Sequence, residues 1–450
     1  MNPPDASCLP DTVAKELRRI RRSTWGSLTT FGDATIRMVW RSSAVGPAPL
    51  ATALRRTSIL AILRSRHAPA AGLAPRCSAL GRSSHVMGPR VQLWPAFHCS
   101  SFNIARMRRE SRVNRATCVV TGGAGFIGSE LVHQLSARGE RVVVIDNLVN
   151  GKRGNLAACQ PGTVTLVEAD IRDIAAVQPH LRDAHTVYHL ACLGVRHSVH
   201  SPVENHEVNA TATLRLLEAS RDAGVPKFVY VSSSEVYGTA RWAPMNEDHP
   251  TSPCTVYGAS KLAAESYARA FYKTYGYPTV VVRPFNAYGP RSHHEGDSGE
   301  VIPKFLLRCL AGRPMVVFGD GAQTRDFTYV EDSARGILLA GTTETAIGRT
   351  VNLGAGSEIS INDLAHAVAA TVGCSAQIAH DEPRPGDVLR LCADVSQARA
   401  CLNYDARISL TVGLAHLLDW YRSIGTAPEE LLRHDIVRNW QPRGESVQNS

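Results

Sequence analysis

The stretch Thr117-Cys118-Val119-Val120-Thr121-Gly122-Gly123-Ala124-Gly125-Phe126-Ile127-Gly128 decides the fold. Five residues of β-branched and apolar character run straight into a glycine-rich turn, and the turn opens a segment, 129–137, with helical spacing. Working outward, short apolar runs recur at 141–145, 164–167, 187–190, 227–232 and 279–283. Helical stretches separate them, for instance 204–223, which Gly224 closes as a left-handed cap. Runs that are apolar throughout mark strands buried on both faces. Their alternation with helices predicts an α/β fold, a doubly wound parallel Rossmann sheet. After Pro284 the texture changes to loops punctuated by proline and glycine, which predicts a second, smaller C-terminal domain. The domain reading is a basic extension over 1–112, a Rossmann domain over 113–284, a substrate-binding part over 285–425 and a polar tail over 426–450, expected to fray after Pro428.

Of 450 residues, 44% are hydrophobic and 20% charged, an ordinary globular balance. No apolar run approaches the ~18–20 residues needed to span a bilayer, so a soluble cytoplasmic protein without a membrane partner is expected. The net charge of +9 is unevenly spread: residues 1–106 hold 15 of the 49 basic residues and 4 of the 40 acidic ones, a net +11 that leaves the rest at −2. No nucleic-acid partner is therefore expected of the globular part, and the arginines of the extension lack aromatic or glycine interleaving. Three readings of that extension compete: a disordered basic tail, an Arg-rich transit peptide, and upstream sequence that is not normally translated. Met107, ten residues before the first strand, favours the third. The 11 cysteines run from Cys8 to Cys401 without a Cys-x-x-Cys pair or metal-ligand spacing, which predicts reduced thiols and no metal. Cys118 and Cys192 are expected to be small core residues.

A glycine turn between a strand and a helix lets backbone approach a pyrophosphate, whose charge is favoured at the helix N-terminus. Asp146 ends the next strand, 18 residues beyond Gly128. An acidic residue there accepts hydrogen bonds from adenosine ribose hydroxyls and repels a 2′-phosphate, so NAD is the expected cofactor. Asp170, after the third strand, is expected to meet the adenine.

Tyr257 and Lys261 are four apart in Tyr257-Gly258-Ala259-Ser260-Lys261, so on a helix they share one face. A nearby ammonium stabilises a phenolate, lowering the tyrosine toward neutrality and making it a usable base. That spacing is common on solvated helix faces. What raises it here is the glycine turn upstream and the hydroxyl-rich strand end Ser232-Ser233-Ser234-Glu235-Val236-Tyr237-Gly238. His293-His294 with Glu295 lack a third converging ligand and read as a loop at the mouth of the substrate site. His189 ends an apolar strand and is expected to satisfy a backbone group.

With these residues in this order, the chain resembles an extended short-chain dehydrogenase/reductase of the NAD-dependent epimerase/dehydratase family, over about 117–422. Carrying the resemblance are 121–128, Tyr188-His189-Leu190-Ala191, the serine strand, Tyr257 with Lys261, Arg283-Pro284-Phe285-Asn286-Ala287-Tyr288-Gly289-Pro290-Arg291 and Gln323-Thr324-Arg325-Asp326-Phe327. It implies an NAD-dependent enzyme that works on a nucleotide-sugar through a transient 4-keto-sugar. Tyr257 would take the proton of the sugar 4-hydroxyl as hydride leaves C4, Lys261 would hold the ribose and tune Tyr257, and Ser233 would hydrogen-bond the 4-oxygen. The implied cofactor contacts are Gly122, Gly125, Phe126, Ile127, Gly128, Asp146, Asn147, Asp170, Ile171 and Lys261. Asn286, Arg325 and Arg384 fall where the family grips the diphosphate, and Val301 and Ile302 where it holds the base. The expected assembly is a homodimer.

Members of the family differ in what the ketone undergoes. An epimerase needs only the tyrosine and serine, whereas dehydratases and some decarboxylases carry an acidic residue just before the Val-Tyr-Gly turn, where this chain has Glu235. The full Asp-then-Glu pair is absent, because Ser234 occupies the first position. Asp146-Asn147-Leu148 and 283–291 look closer to the 4-epimerase branch. The expected activity is thus a UDP-sugar 4-epimerase. The alternatives are a 4,6-dehydratase or UDP-glucuronate decarboxylase-like enzyme using Glu235, and, outside enzymes, an inactive NAD-binding sensor, which the retention of Tyr257, Lys261 and Ser233 disfavours.

Overall fold

The computed structural model describes residues 117–296, 298–384 and 386–440; the basic extension and residues 441–450 of the tail lie outside them. Strand β1 (Thr117–Thr121) breaks at the glycine turn, and helix α1 (Phe126–Ala137) carries the chain back to β2 (Arg141–Asp146), parallel to β1 with Thr117 opposite Arg141. After β3 (Val164–Glu168) the chain crosses to the other side of β1, where β4 (Ala184–His189), β5 (Lys227–Val231) and β6 (Thr279–Pro284) follow in parallel. Helices α2 (Ala212–Asp222) and α3 (Val256–Tyr275) make the crossovers. The turns before α2 run from Pro202–His206 through a π stretch, Glu207–Thr211, and Gly224 takes the left-handed conformation (φ 73°) expected of it.

Beyond β6 come β7 (Asn286–Tyr288), α4 (Val301–Leu310), β8 (Met315–Phe318), β9 (Thr324–Arg325), β10 (Phe327–Tyr329), α5 (Val330–Thr342), β11 (Thr350–Leu353), β12 (Ile359–Ser360), α6 (Ile361–Val372), β13 (Ile378–Asp381), β14 (Arg390–Leu391) and α7 (Leu410–Ile424). The main sheet has the order β11-β6-β5-β4-β1-β2-β3, every pair parallel. Its seventh strand, β11, is one that the sequence reading did not include, and it returns the chain to the main sheet well past Pro284.

The two-residue period of the strands divides their side chains between two cores. Val229, Val231, Val280 and Val282 pack on one face with Leu131 of α1 and Ile337 of α5, while Phe228, Tyr230 and Val281 pack on the other with Leu216 of α2 and Ala264 of α3. A third core, built by Phe305 and Leu306 of α4, Leu364 of α6 and Leu417 of α7, holds the smaller part together.

Four expectations need correction. His189 satisfies hydroxyls and not a backbone group: its Nδ1 lies 2.7 Å from Thr121 Oγ1 and its Nε2 2.8 Å from Thr213 Oγ1, side chains that topology brings from β1 and α2. Cys118 is buried as expected, but Cys192 lies just past the end of β4, where the chain leaves the sheet, and lines a cavity. Cys309 and Cys374 are joined in a disulfide, because α4 packs against α6 and brings together residues 65 apart in sequence. The chain from Pro428 to Trp440 does not fray: Leu432 is buried, Asp435 accepts from Arg308 Nη2 at 2.6 Å, and Trp440 packs edge-on to Phe318.

Candidate active site

Strand order reverses between β1 and β4, so their C-terminal ends diverge and leave a crevice where ligands bind in open α/β sheets. A cavity of about 1430 Å³ occupies it and runs on into the smaller part of the molecule. The glycine turn forms one end. A Cβ at Gly128 would stand 2.0 Å from the Gly122 carbonyl oxygen, so only glycine lets α1 start against the end of β1. Gly125 at the N-cap makes no side-chain cap, and no acidic residue stands in the first turn of α1. The first N–H groups of the helix are thereby left open to an anion, as a pyrophosphate requires.

The other expected cofactor residues line the same end. Asp146 accepts the Ala124 N–H at 2.9 Å and the Leu148 N–H at 2.8 Å, which fixes its carboxylate between the glycine turn and the loop after β2; burial pushes its pKa up. Asn147 donates to Asp170 at 3.0 Å, and Asp170 is held below the usual carboxylate range by hydrogen bonds from Arg172. These carboxylates, with buried Ile171 beside them, suit an adenosine, and the set fits NAD.

At the middle of the cavity, Thr255 caps α3 by accepting the Gly258 N–H at 3.0 Å. A Cβ at Gly258 would lie 2.7 Å from the Glu235 carbonyl oxygen, so the first turn of α3 sits directly on the turn 233–236. This contact brings together Tyr257, Ser233 and Glu235. Ser233 stands close enough to Tyr257 for its hydroxyl to favour the phenolate, against a burial that, helped by the nearby Cys192 and Glu235, raises the phenol well above its ordinary value. Lys261, one turn on and buried, donates from Nζ to the Val231 carbonyl at 2.5 Å, with its ammonium over the Tyr230 ring. Its own pKa is lowered by burial. The expected lowering of Tyr257 toward neutrality is not found, because desolvation outweighs what favours the phenolate. Asn205 and Asn209, the latter in the π stretch, tie Ser260 of α3 to the loop at Leu193. A π turn at this point is a common mark of a functional site.

The far end is lined by Asn286, Val301, Ile302, Arg325 and Arg384, all five expected substrate residues. The Asn286 amide nitrogen is shielded from solvent and has no hydrogen-bond partner among the described residues. Arg325 pairs with Asp387 at 2.6 Å. Arg384 lies over the rings of Phe318 and Trp440, and burial lowers its pKa to about 10. Burial raises the Glu235 carboxyl, with Arg325, Arg196 and Arg384 opposing it. Arg196, Asp387 and Glu300 also line this end and were not identified from sequence. Arg196 carried a usable signal, a cation in the Gly194-bounded loop at the C-terminal end of a parallel strand. Glu295 and His293 line the cavity as well, Glu295 paired with Lys152 at 2.6 Å and with His294 Nε2 at 3.7 Å.

The family description that matches this chain, over residues 118–354, is the NAD dependent epimerase/dehydratase family. The chain belongs to that family. It is an NAD-dependent enzyme, and the match runs from β1 to just past β11, across the whole main sheet. This epimerase/dehydratase is similar to UDP-glucose 4-epimerase of Mycolicibacterium smegmatis, 37% identical over 314 residues that cover 68% of this chain and 98% of the relative. It is also similar to UDP-glucuronic acid decarboxylase 1 of Arabidopsis thaliana, 34% identical over 316 residues, 69% of this chain and 70% of the relative. Among solved structures, DesIV, a dTDP-glucose 4,6-dehydratase from Streptomyces venezuelae with NAD and TYD bound, matches with a TM-score of 0.65 at 33% identity, over 68% of this chain and 97% of that one. Relatives with three different outcomes thus share this scaffold at similar identity.

Proposed function

We propose that this enzyme is a UDP-sugar 4-epimerase that works through a transient 4-keto-sugar. The observation that carries the reading is the juxtaposition of Tyr257, Ser233 and Lys261 in the wall of one cavity, which also takes in the glycine turn and the arginines of the smaller part. Residues 113–284 hold the cofactor in this reading and 285–425 the substrate. Gly122, Gly125, Phe126, Ile127 and Gly128 cradle the pyrophosphate, while Asp146, Asn147, Asp170 and Ile171 take the adenosine. When bound, NAD supplies the hydride acceptor for C4 and a positive ring charge. Tyr257 takes the proton of the 4-hydroxyl and returns it to the 4-oxygen after the ketone has turned its other face. Ser233 hydrogen-bonds that oxygen throughout. Lys261 holds the ribose and adds positive charge beneath Tyr257, countering the burial that keeps the phenol protonated. Asn286, with its unpartnered amide, Arg325 and Arg384 grip the diphosphate, and Val301 and Ile302 at the start of α4 hold the base. The assembly in this reading is a cytoplasmic homodimer, with exposed Tyr272 and Tyr275 of α3 available to a second copy. No helix among the described residues is long and apolar enough to cross a membrane.

A second reading, 4,6-dehydratase or decarboxylase, is favoured by Glu235, whose carboxyl lies close enough to affect Tyr257. Dehydration needs a base for the C5 proton and an acid for the departing C6 hydroxyl, and Ser234, next to Glu235, is no acid. Incubation with UDP-, dTDP- and GDP-sugars, with products analysed by mass and NMR, separates the outcomes. A 4-epimer of a UDP-sugar is expected; a dehydrated ketone or a pentose would replace this reading by the second.

A further inference from the structure

Residues 432–440 run between two elements of the smaller part and are fixed to both. On the side of α4, Asp435 accepts from Arg308 at 2.6 and 3.0 Å and pairs with Lys304 at 3.0 Å, and Lys304 also donates to the Ile436 carbonyl at 2.7 Å. The Gly296 N–H, in the loop before α4, donates to the His434 carbonyl at 3.0 Å. On the other side Arg438 donates to Asp381 of β13, from Nη2 at 2.5 Å and from Nε at 3.0 Å. Asp381 stands opposite Phe318 in the parallel pair of β13 and β8. Two residues past Arg438 the chain therefore reaches Phe318, and the Trp440 ring lies edge-on to it with centroids 4.7 Å apart. A terminal stretch frays unless it is tied down, and these ties bring Trp440 into the wall of the cavity.

Phe318 and Trp440 both line the cavity and are only partly buried. The Arg384 guanidinium lies 4.9 Å from the centroid of the first ring and 5.3 Å from that of the second, so cation–π attraction holds it in this corner. If Tyr257 meets the sugar and Arg384 a phosphate, the group on the far side of the phosphate is the nucleoside. Its base is the one flat aromatic plate that such a substrate offers, and an aromatic corner suits a plate better than a charged diphosphate or a ring edged with hydroxyls.

We infer that Trp440 is a stacking surface for the nucleobase, carried to the cavity by the strap 432–440, with Arg384 placed for the adjoining phosphate. The inference rests on the reading of the cavity as a nucleotide-sugar site. It goes beyond that reading by giving the base an aromatic contact from outside residues 285–425. Stacking uses the π-face that every base has, so Trp440 supplies affinity and leaves the choice among bases to groups that meet the base edge.

The test is titration of the NAD-loaded full-length enzyme with UDP, dTDP and GDP, followed by calorimetry and by tryptophan fluorescence, and repeated on Trp440→Ala and Trp440→Phe with the tightest binder of the three, UDP on the proposed function. A base stacked on an indole quenches its emission, so the nucleotide should quench the wild type. Trp440→Phe should keep the affinity within a few fold and lose that quench. Trp440→Ala should weaken binding roughly 10- to 100-fold, as expected for loss of one base–aromatic stack. Both variants should keep wild-type NAD content, which reports an intact fold. Nucleotide binding by Trp440→Ala equal to wild type, a wild type left unquenched, or a quench that persists in Trp440→Phe would overturn the inference and leave the proposed function standing. Unchanged UDP binding by Trp440→Ala with weaker binding of UDP-glucose would overturn it too, making Trp440 a contact to the sugar. If the wild-type enzyme binds none of the three nucleotides, the nucleotide-sugar reading itself fails.

Discussion

Glu265 and Arg283 are paired inside the protein, Arg283 Nη2 donating to Glu265 Oε1 at 2.5 Å and Nε to Oε2 at 3.0 Å, and both residues are buried. Glu265 lies on α3, one turn beyond Lys261 and two beyond Tyr257, and its Oε2 also accepts from Ser232 at 2.9 Å. The pair therefore joins the helix that carries the tyrosine, the strand end that carries Ser233 and β6. Removing Arg283 leaves the buried Glu265 carboxylate with Arg269, whose Nη1 lies at 2.5 Å, as its remaining cation, so the cost falls toward the lower end of the about 3–5 kcal/mol typical of a buried charge left uncompensated. Arg283→Met is expected to lower stability by that order in denaturant titration; a midpoint equal to wild type would show that the pair is dispensable.

Tyr257→Phe removes the phenolic oxygen and keeps the ring. Turnover is expected to fall by about 10²–10⁴, the usual range for loss of a general base, with NAD content unchanged because the glycine turn and Asp146 lie outside the altered contact. Near-normal turnover would remove Tyr257 from the proposed chemistry.

Glu300 precedes α4 at the cavity, and burial raises its carboxyl from 4.5 to about 8. The folded protein then binds a proton that the unfolded chain releases, so the contribution of this group to stability is complete below about pH 4.5 and is lost as pH rises through about 8. Melting temperature should decline over that window in the wild type, and Glu300→Gln should flatten the decline. An unchanged slope in the variant would place the cause elsewhere.

Much of the architecture was legible because it rests on local pattern. The first six strands, the glycine turn and the helix carrying Tyr257 and Lys261 each announce themselves by apolar runs or fixed spacing, and all eighteen site residues that end up lining one cavity lie in such motifs or beside them. What was missed depends on contacts between distant segments. β11 is four residues long and acquires its meaning only by pairing with β6, from Val281 to Pro284. Arg196 is one arginine among many until the crossing from β4 brings it to the cavity, and His189 meets hydroxyls 68 and 24 residues away. The direction of the Tyr257 shift was misjudged as well: i, i+4 spacing predicts a shared face with Lys261, but not the desolvation of the phenol in the cavity wall.

Glu235→Gln separates the two readings of the ketone's fate. An epimerase has no use for a base at C5, so turnover should stay within a few fold of wild type. Accumulation of a 4-keto-sugar by the variant would instead assign Glu235 the C5 proton and favour the dehydratase reading.

The most direct measurement of the account is turnover of UDP-glucose in heavy water, with the product examined by NMR and mass. In a 4-epimerase only the 4-hydroxyl exchanges a proton with Tyr257, and the hydrogen on C4 leaves and returns without meeting solvent. The account predicts UDP-galactose with no deuterium on any sugar carbon. A product that has lost water and carries deuterium at C5 would contradict it.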